Sequence, residues 1–170
     1  SDDTHTVQLI VDNTFLGPLF EHPLKHGADL VVYSLTKYIG GHSDFLGGAG
    51  LGSHEDIAKL KKMRGRIGNP LDPESCSLLL RSMETLELRM QLHVENGRVV
   101  ADFLRAHPSV KAVYYPDLFA NESQKTIFEK QCLSPGAMIS FELDSKDACY
   151  RFLNAMKLVS LAVSLGATES

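Results

Sequence analysis

The sequence has 170 residues, 44% of them hydrophobic and 22% charged, which provides for a packed core and argues against disorder. Its formal net charge is −4, so it lacks the basic excess of a nucleic-acid or anionic-membrane binder. No apolar run reaches the roughly 18 residues that span a bilayer. The polar, acidic start (Ser1, Asp2, Asp3, Thr4, His5) is unlike a signal peptide. Cys76, Cys132 and Cys149 are too scattered for a disulfide framework, so a soluble, cytoplasmic, reducing setting is the expectation.

Residues 7–11 (Val-Gln-Leu-Ile-Val) read as a buried strand. After a turn-rich stretch, residues 21–26 predict a short helix stopped by Gly27. Residues 30–33 form a second apolar run of strand length. A glycine-rich segment follows (Gly40, Gly41, Gly47, Gly48, Gly50, Gly52), read as loop and close-packing positions rather than a nucleotide loop. Ser53 is a candidate N-cap for a helix to about Arg66. Asp72-Pro73 is a strong helix start, and apolar positions at three and four residues run on to about Ala106. That length predicts two helices or one long bent one. Residues 110–115 predict a strand, 124–132 a helix, 137–143 a strand, 147–156 an amphipathic helix and 158–163 a last strand. The first part reads as a parallel α/β sheet and the last as a smaller α+β unit.

The densest group of chemically capable residues is Asp12, Asn13 and Thr14, followed by Ser34-Leu35-Thr36-Lys37-Tyr38 and Gly40-Gly41-His42-Ser43-Asp44. Each cluster follows an apolar strand, and open α/β sheets bind ligands at the carboxyl ends of strands. Alone, Asp12 also fits a turn or helix cap, and Lys37 a solvated surface lysine. Together they face one crevice. In an extended segment Ser34 and Thr36 share a side, so both hydroxyls address one anion. A carboxylate, a lysine and a hydroxyl pair suit pyridoxal 5′-phosphate: lysine for the aldehyde, carboxylate for the ring nitrogen, hydroxyls for the phosphate.

These motifs resemble the cysteine/methionine-metabolism family of pyridoxal-phosphate enzymes, the transsulfuration or γ-family. It includes methionine γ-lyase, cystathionine γ-synthase and γ-lyase, and homoserine-ester sulfhydrylases. The resemblance continues through Thr85-Leu86-Glu87-Leu88-Arg89-Met90, Val113-Tyr114-Tyr115-Pro116, Gly136-Ala137-Met138-Ile139-Ser140-Phe141 and Ser160-Leu161-Ala162-Val163-Ser164-Leu165-Gly166.

It implies a fold-type I aminotransferase-like arrangement. Residues 1–95 would be the later part of a large, mainly parallel α/β cofactor domain. Residues 96–170 would be a connecting helix and the start of a small α+β domain. It further implies Lys37 as the Schiff-base lysine and mobile acid/base, and Asp12 as partner of the ring nitrogen. Ser34 and Thr36 would bind the phosphate, and Ser164 the substrate α-carboxylate. Val163, which is apolar, suits a methylthio-ended substrate better than one carrying a second amino-acid head. The expectation is therefore a carbon–sulfur lyase that splits methionine into α-ketobutyrate, ammonia and methanethiol by γ-elimination. Two alternatives stand beside it: cystathionine γ-synthase-like γ-replacement on an activated homoserine ester, and an inactive fragment or pseudo-enzyme of the same fold. The resemblance also implies a homo-oligomer, a dimer of active sites assembled into a homotetramer. The family's stacking tyrosine and phosphate loop are expected before Ser1, and its carboxylate-binding arginine after Ser170. His22 and His26 lack a third ligand of convincing spacing, so no metal site is expected.

Overall fold

In the computed structural model, residues 7–119, 121–162 and 164–167 are described. The chain begins with strand β1 (Ile10–Asp12), a short helix α1 (Gly17–Phe20) and a single 3₁₀ turn, Pro23–His26. Gly27 closes that turn with φ +94°, a left-handed conformation that favours glycine. Strand β2 (Leu30–Ser34) runs into a wide helical turn, Leu35–Ile39, and strand β3 follows (Gly48–Gly52). β1 and β2 are parallel, with Asp12 opposite Val32, whereas β3 runs antiparallel to β2 with Gly48 opposite Ser34.

Two expectations change here. The 7–11 run is strand only from Ile10, and it is not buried: Leu9 and Ile10 are exposed, because β1 pairs on one side alone among the described residues. The glycine segment 48–52 is not loop but a paired edge strand. Glycine is needed there for close approach, since a Cβ on Gly52 would sit 2.8 Å from the carbonyl oxygen of Asp29.

Helix α2 (His54–Ile67) starts where expected, with Ser53 Oγ accepting the amide N–H of Asp56. Replacing Ser53 by alanine is expected to cost about 1 kcal/mol of stability, read as a lower midpoint in thermal unfolding. Helix α3 (Pro73–Met83) is capped by Asp72, and helix α4 covers Leu86–Ala106. The apolar run is thus two helices. They part because the Ser82 carbonyl accepts from the Thr85 amide, the Thr85 hydroxyl and Arg89 instead of continuing the ladder. None of the described helices is long and apolar enough to cross a membrane.

The last part contains strand β4 (Val110–Tyr114), helix α5 (Glu122–Gln131), strand β5 (Ser140–Leu143) and helix α6 (Lys146–Ala155). β4 and β5 form an antiparallel pair. Residues 137–139 are not strand, and neither are 158–162. Leu158 is 95% exposed and Leu161 75%, for lack of a neighbouring strand to cover them among the described residues.

The main core joins Val31, Tyr33, Leu35, Tyr38, Ile39 and Phe45 to Leu86 and Met90 of α4. The turn after β2 therefore contributes Leu35, Tyr38 and Ile39 to the core.

Candidate active site

Parallel pairing of β1 and β2 brings their carboxyl ends to one edge of the sheet. Asp12 ends β1 and Ser34 ends β2. Thr14 joins them. Its amide and hydroxyl both donate to Asp12 Oδ1, at 3.0 and 2.6 Å, and its hydroxyl accepts the Ser34 amide at 2.8 Å. No hydrogen bond reaches Asp12 Oδ2 among the described residues. Asn13 is buried between them and donates to the carbonyls of Gly17 (3.0 Å) and Glu21 (3.1 Å), tying down the segment after β1.

Beyond Ser34 the chain coils rather than extends. Gly40 donates to the Leu35 carbonyl at 2.8 Å and Gly41 to that of Lys37 at 2.7 Å. Within this turn Lys37 leaves helical values, with φ −85° and ψ −131°. The two-residue period invoked for Ser34 and Thr36 therefore does not apply. Thr36 Oγ1 accepts the Gly47 amide at 3.0 Å, holding the turn to the start of β3. Ser34 Oγ makes no hydrogen bond among the described residues and is half-buried at the strand end.

Lys37 Nζ donates to Ser164 Oγ at 2.9 Å, closing 127 residues of sequence. Gly166, at φ +83°, lies against the same turn: a Cβ there would fall 2.7 Å from the Tyr38 amide nitrogen. Two motifs from opposite ends of the sequence thus meet at the lysine. Val163 lies outside the described residues.

Several residues at this site carried no role in the sequence. Thr14 and Asn13 stood in the Asp12 cluster, but their burial was not visible. Arg89, on the first turn of α4, donates to the Tyr38 carbonyl at 2.7 Å. His93, one turn further, meets the Tyr38 ring edge-on with centroids 5.4 Å apart. Burial pushes the Tyr38 phenol above its usual range. Burial, with a smaller contribution from the Arg89 charge, holds His93 below the usual histidine value and favours the neutral ring. A pocket of about 340 Å³ opens elsewhere, between α4, β4, β5 and α6, and contains none of these residues.

Residues 2–170 match the family described as "Cys/Met metabolism PLP-dependent enzyme". The chain is 43% identical over 169 residues to L-methionine gamma-lyase of Pseudomonas putida, covering 98% of this chain and 42% of that protein. It is 42% identical over 165 residues to cystathionine gamma-lyase of Bacillus subtilis, covering 96% of this chain and 43% of that one. The solved cystathionine gamma synthase from Xanthomonas oryzae pv. oryzae, in complex with aminoacrylate and cysteine, superposes with a TM-score of 0.89 at 39% identity, covering 96% of this chain and 42% of that one. The chain thus spans less than half the length of these relatives. Both the sequence profile and these identities, carried over nearly the whole of its length, make the chain a member of the Cys/Met metabolism PLP-dependent enzyme family.

Proposed function

We propose that this chain carries the reactive lysine of a pyridoxal-phosphate-dependent carbon–sulfur lyase that eliminates methanethiol from methionine, leaving α-ketobutyrate and ammonia. The observation that carries the reading is the Lys37–Ser164 hydrogen bond beside the carboxyl ends of two parallel strands. The donor set fits the cofactor. Lys37 is an amine held by a neutral hydroxyl and is in no ion pair among the described residues. Asp12 has one oxygen fixed by Thr14 and the other unengaged by the described residues, as partner to a ring N–H requires. Ser34 Oγ is unengaged on the same terms. Thr36 Oγ1, which accepts the Gly47 amide at 3.0 Å and donates to the Gly47 carbonyl only at 3.4 Å, can also turn its O–H to a phosphate.

When bound, pyridoxal phosphate supplies an electron sink for charge developing on the substrate carbons. The rest falls to this chain. Asp12 holds a proton on the ring side, where a carboxylate favours the protonated partner. Lys37 Nζ, as a mobile base on a flexible stem, would take a proton from Cα and then one from Cβ. The Cγ–S bond breaks as the Cβ–Cγ double bond forms, methanethiolate leaves and takes up a proton to become methanethiol, and Lys37 returns a proton at Cγ. Ser164 Oγ, which accepts from Lys37 Nζ, orients that amine, and its hydroxyl is also available to the substrate α-carboxylate. Thr14 keeps Asp12 and β2 in register while these protons move.

We read residues 1–95 and 96–170 as parts of a large and a small domain, and the full-length protein as a cytoplasmic homotetramer. A second reading, γ-replacement on an activated homoserine ester, is supported by the likeness to a cystathionine gamma synthase at much the same identity. The test supplies the purified full-length protein with methionine alone. Formation of α-ketobutyrate and methanethiol supports elimination. Cystathionine from cysteine plus the ester, with no product from methionine, moves the assignment to replacement. Absence of bound cofactor in the absorbance spectrum would identify a pseudo-enzyme.

A further inference from the structure

We propose that Arg89 is a positioning residue for Lys37: its guanidinium fixes the backbone of the turn that presents the lysine amine. The proposal rests on the reading of Lys37 as the reactive group. Arg89 Nη1 donates to the Tyr38 carbonyl at 2.7 Å and Nη2 to the Ile39 carbonyl at 3.1 Å. These are the carbonyls of the two residues that follow Lys37. The opposite side of the guanidinium is anchored on the α3–α4 corner, with Nη2 donating to the Ser82 carbonyl at 2.9 Å and Nε to Thr85 Oγ1 at 3.2 Å. All three nitrogens are thus engaged, two of them toward the turn.

The electrostatics are unusual. Arg89 is half-buried, yet it pairs with no carboxylate among the described residues. A desolvated cation normally needs such a partner. Here its charge meets the carbonyl ends of two helical segments, the turn at 35–39 and α3, where the backbone carries partial negative charge. A lysine would supply a point charge in place of this planar fork.

Gly41 is a second, independent sign. It sits at φ +74°, and a Cβ added there would fall on the Arg89 guanidinium. The backbone leaves room for that side chain. The clamp is needed because Lys37, at ψ −131°, interrupts the regular turn, so the helical ladder alone does not hold the carbonyls that follow. Rotation about the Lys37 backbone would swing Nζ away from Ser164, and it would first have to break two charge-assisted hydrogen bonds.

The test compares Arg89→Met and Arg89→Lys in the full-length protein. In the cofactor-free form, hydrogen–deuterium exchange of the peptide covering 35–41 is expected to speed up by about tenfold or more in Arg89→Met, while α2 exchanges as before. In the holoenzyme kcat is expected to fall by about tenfold to a hundredfold with KM little changed, because binding groups stay while the base is misplaced. Arg89→Lys, which keeps one carbonyl contact, should recover part of both effects. Unchanged exchange at 35–41, or acceleration that is equal in α2, overturns the proposal. So does an unchanged kcat. Exchange is read without cofactor, so the two readings fail separately. Faster local exchange, together with no pyridoxal phosphate bound by the unsubstituted protein, upholds the clamp and overturns the functional reading alone.

Discussion

Lys37→Ala in the full-length protein is expected to fold and to lose methionine turnover by at least the 10²–10⁴-fold or so that a positioned acid/base contributes. The fold should survive because the Lys37 side chain is outside the core cluster and makes one hydrogen bond, to Ser164. That bond is worth roughly 1 kcal/mol, small beside the stability of a domain. Activity has no such reserve. In the proposed elimination, protons leave Cα and Cβ and one returns at Cγ, all by way of one amine, and no other amine is bonded to Ser164 among the described residues. Two measurements check this result. Steady-state assays with methionine give the loss of turnover. Borohydride reduction followed by mass spectrometry of the peptide containing residue 37 shows whether cofactor is covalently captured there. Capture on Lys37 in the parent protein, absent in the variant, is the expected pair of results. Unchanged turnover in the alanine variant would remove Lys37 from the mechanism.

The strand ends that made the proposed site legible in the sequence also explain what was not. Asp12 and Ser34 end short apolar strands, and such runs announce both the strand and its carboxyl edge. The caps at Ser53 and Asp72 follow from local chemistry and stand where the sequence puts them. The β3 glycines failed because glycine has low strand propensity, and what selects it here is the Asp29 backbone packed against Gly52. Residues 158–162 failed in the opposite sense. Their propensity is suitable, but a strand exists only with a partner, and Leu158 and Leu161 have none among the described residues. Arg89 stands in the Thr85-Leu86-Glu87-Leu88-Arg89-Met90 motif with no role assigned to it. Its bonds run to Tyr38 and Ile39, 51 and 50 residues away, so no local pattern reveals them. Thr36 is the sharpest case at the site. Its period-two pairing with Ser34 assumed an extended chain, and the coil after β2 turns its hydroxyl to Gly47 instead.

Gly166→Ala is expected to detach the 164–167 segment from the lysine turn, at a cost on the order of 3 kcal/mol to that docking. Two penalties act together. At φ +83° an L-residue is strained, because its Cβ crowds the carbonyl in the left-handed region. The added methyl would also stand 2.7 Å from the Tyr38 amide nitrogen and 3.0 Å from the Lys37 carbonyl carbon. These are backbone atoms of a turn built into the core, so they cannot step aside as a side-chain end would. The segment gives way instead, and Ser164 goes with it. The lysine then loses the hydroxyl that accepts from it, while its own turn keeps the Arg89 contacts. The expected signature separates these parts. Hydrogen exchange rises around residues 160–167 but not at 35–41, global unfolding changes little, and methionine turnover falls sharply. Ser164→Ala, which removes the hydroxyl and leaves the backbone docked, should reproduce part of the activity loss without the change in exchange. If Gly166→Ala leaves both exchange and turnover at parent values, the close approach of this segment to Lys37 does not govern the site.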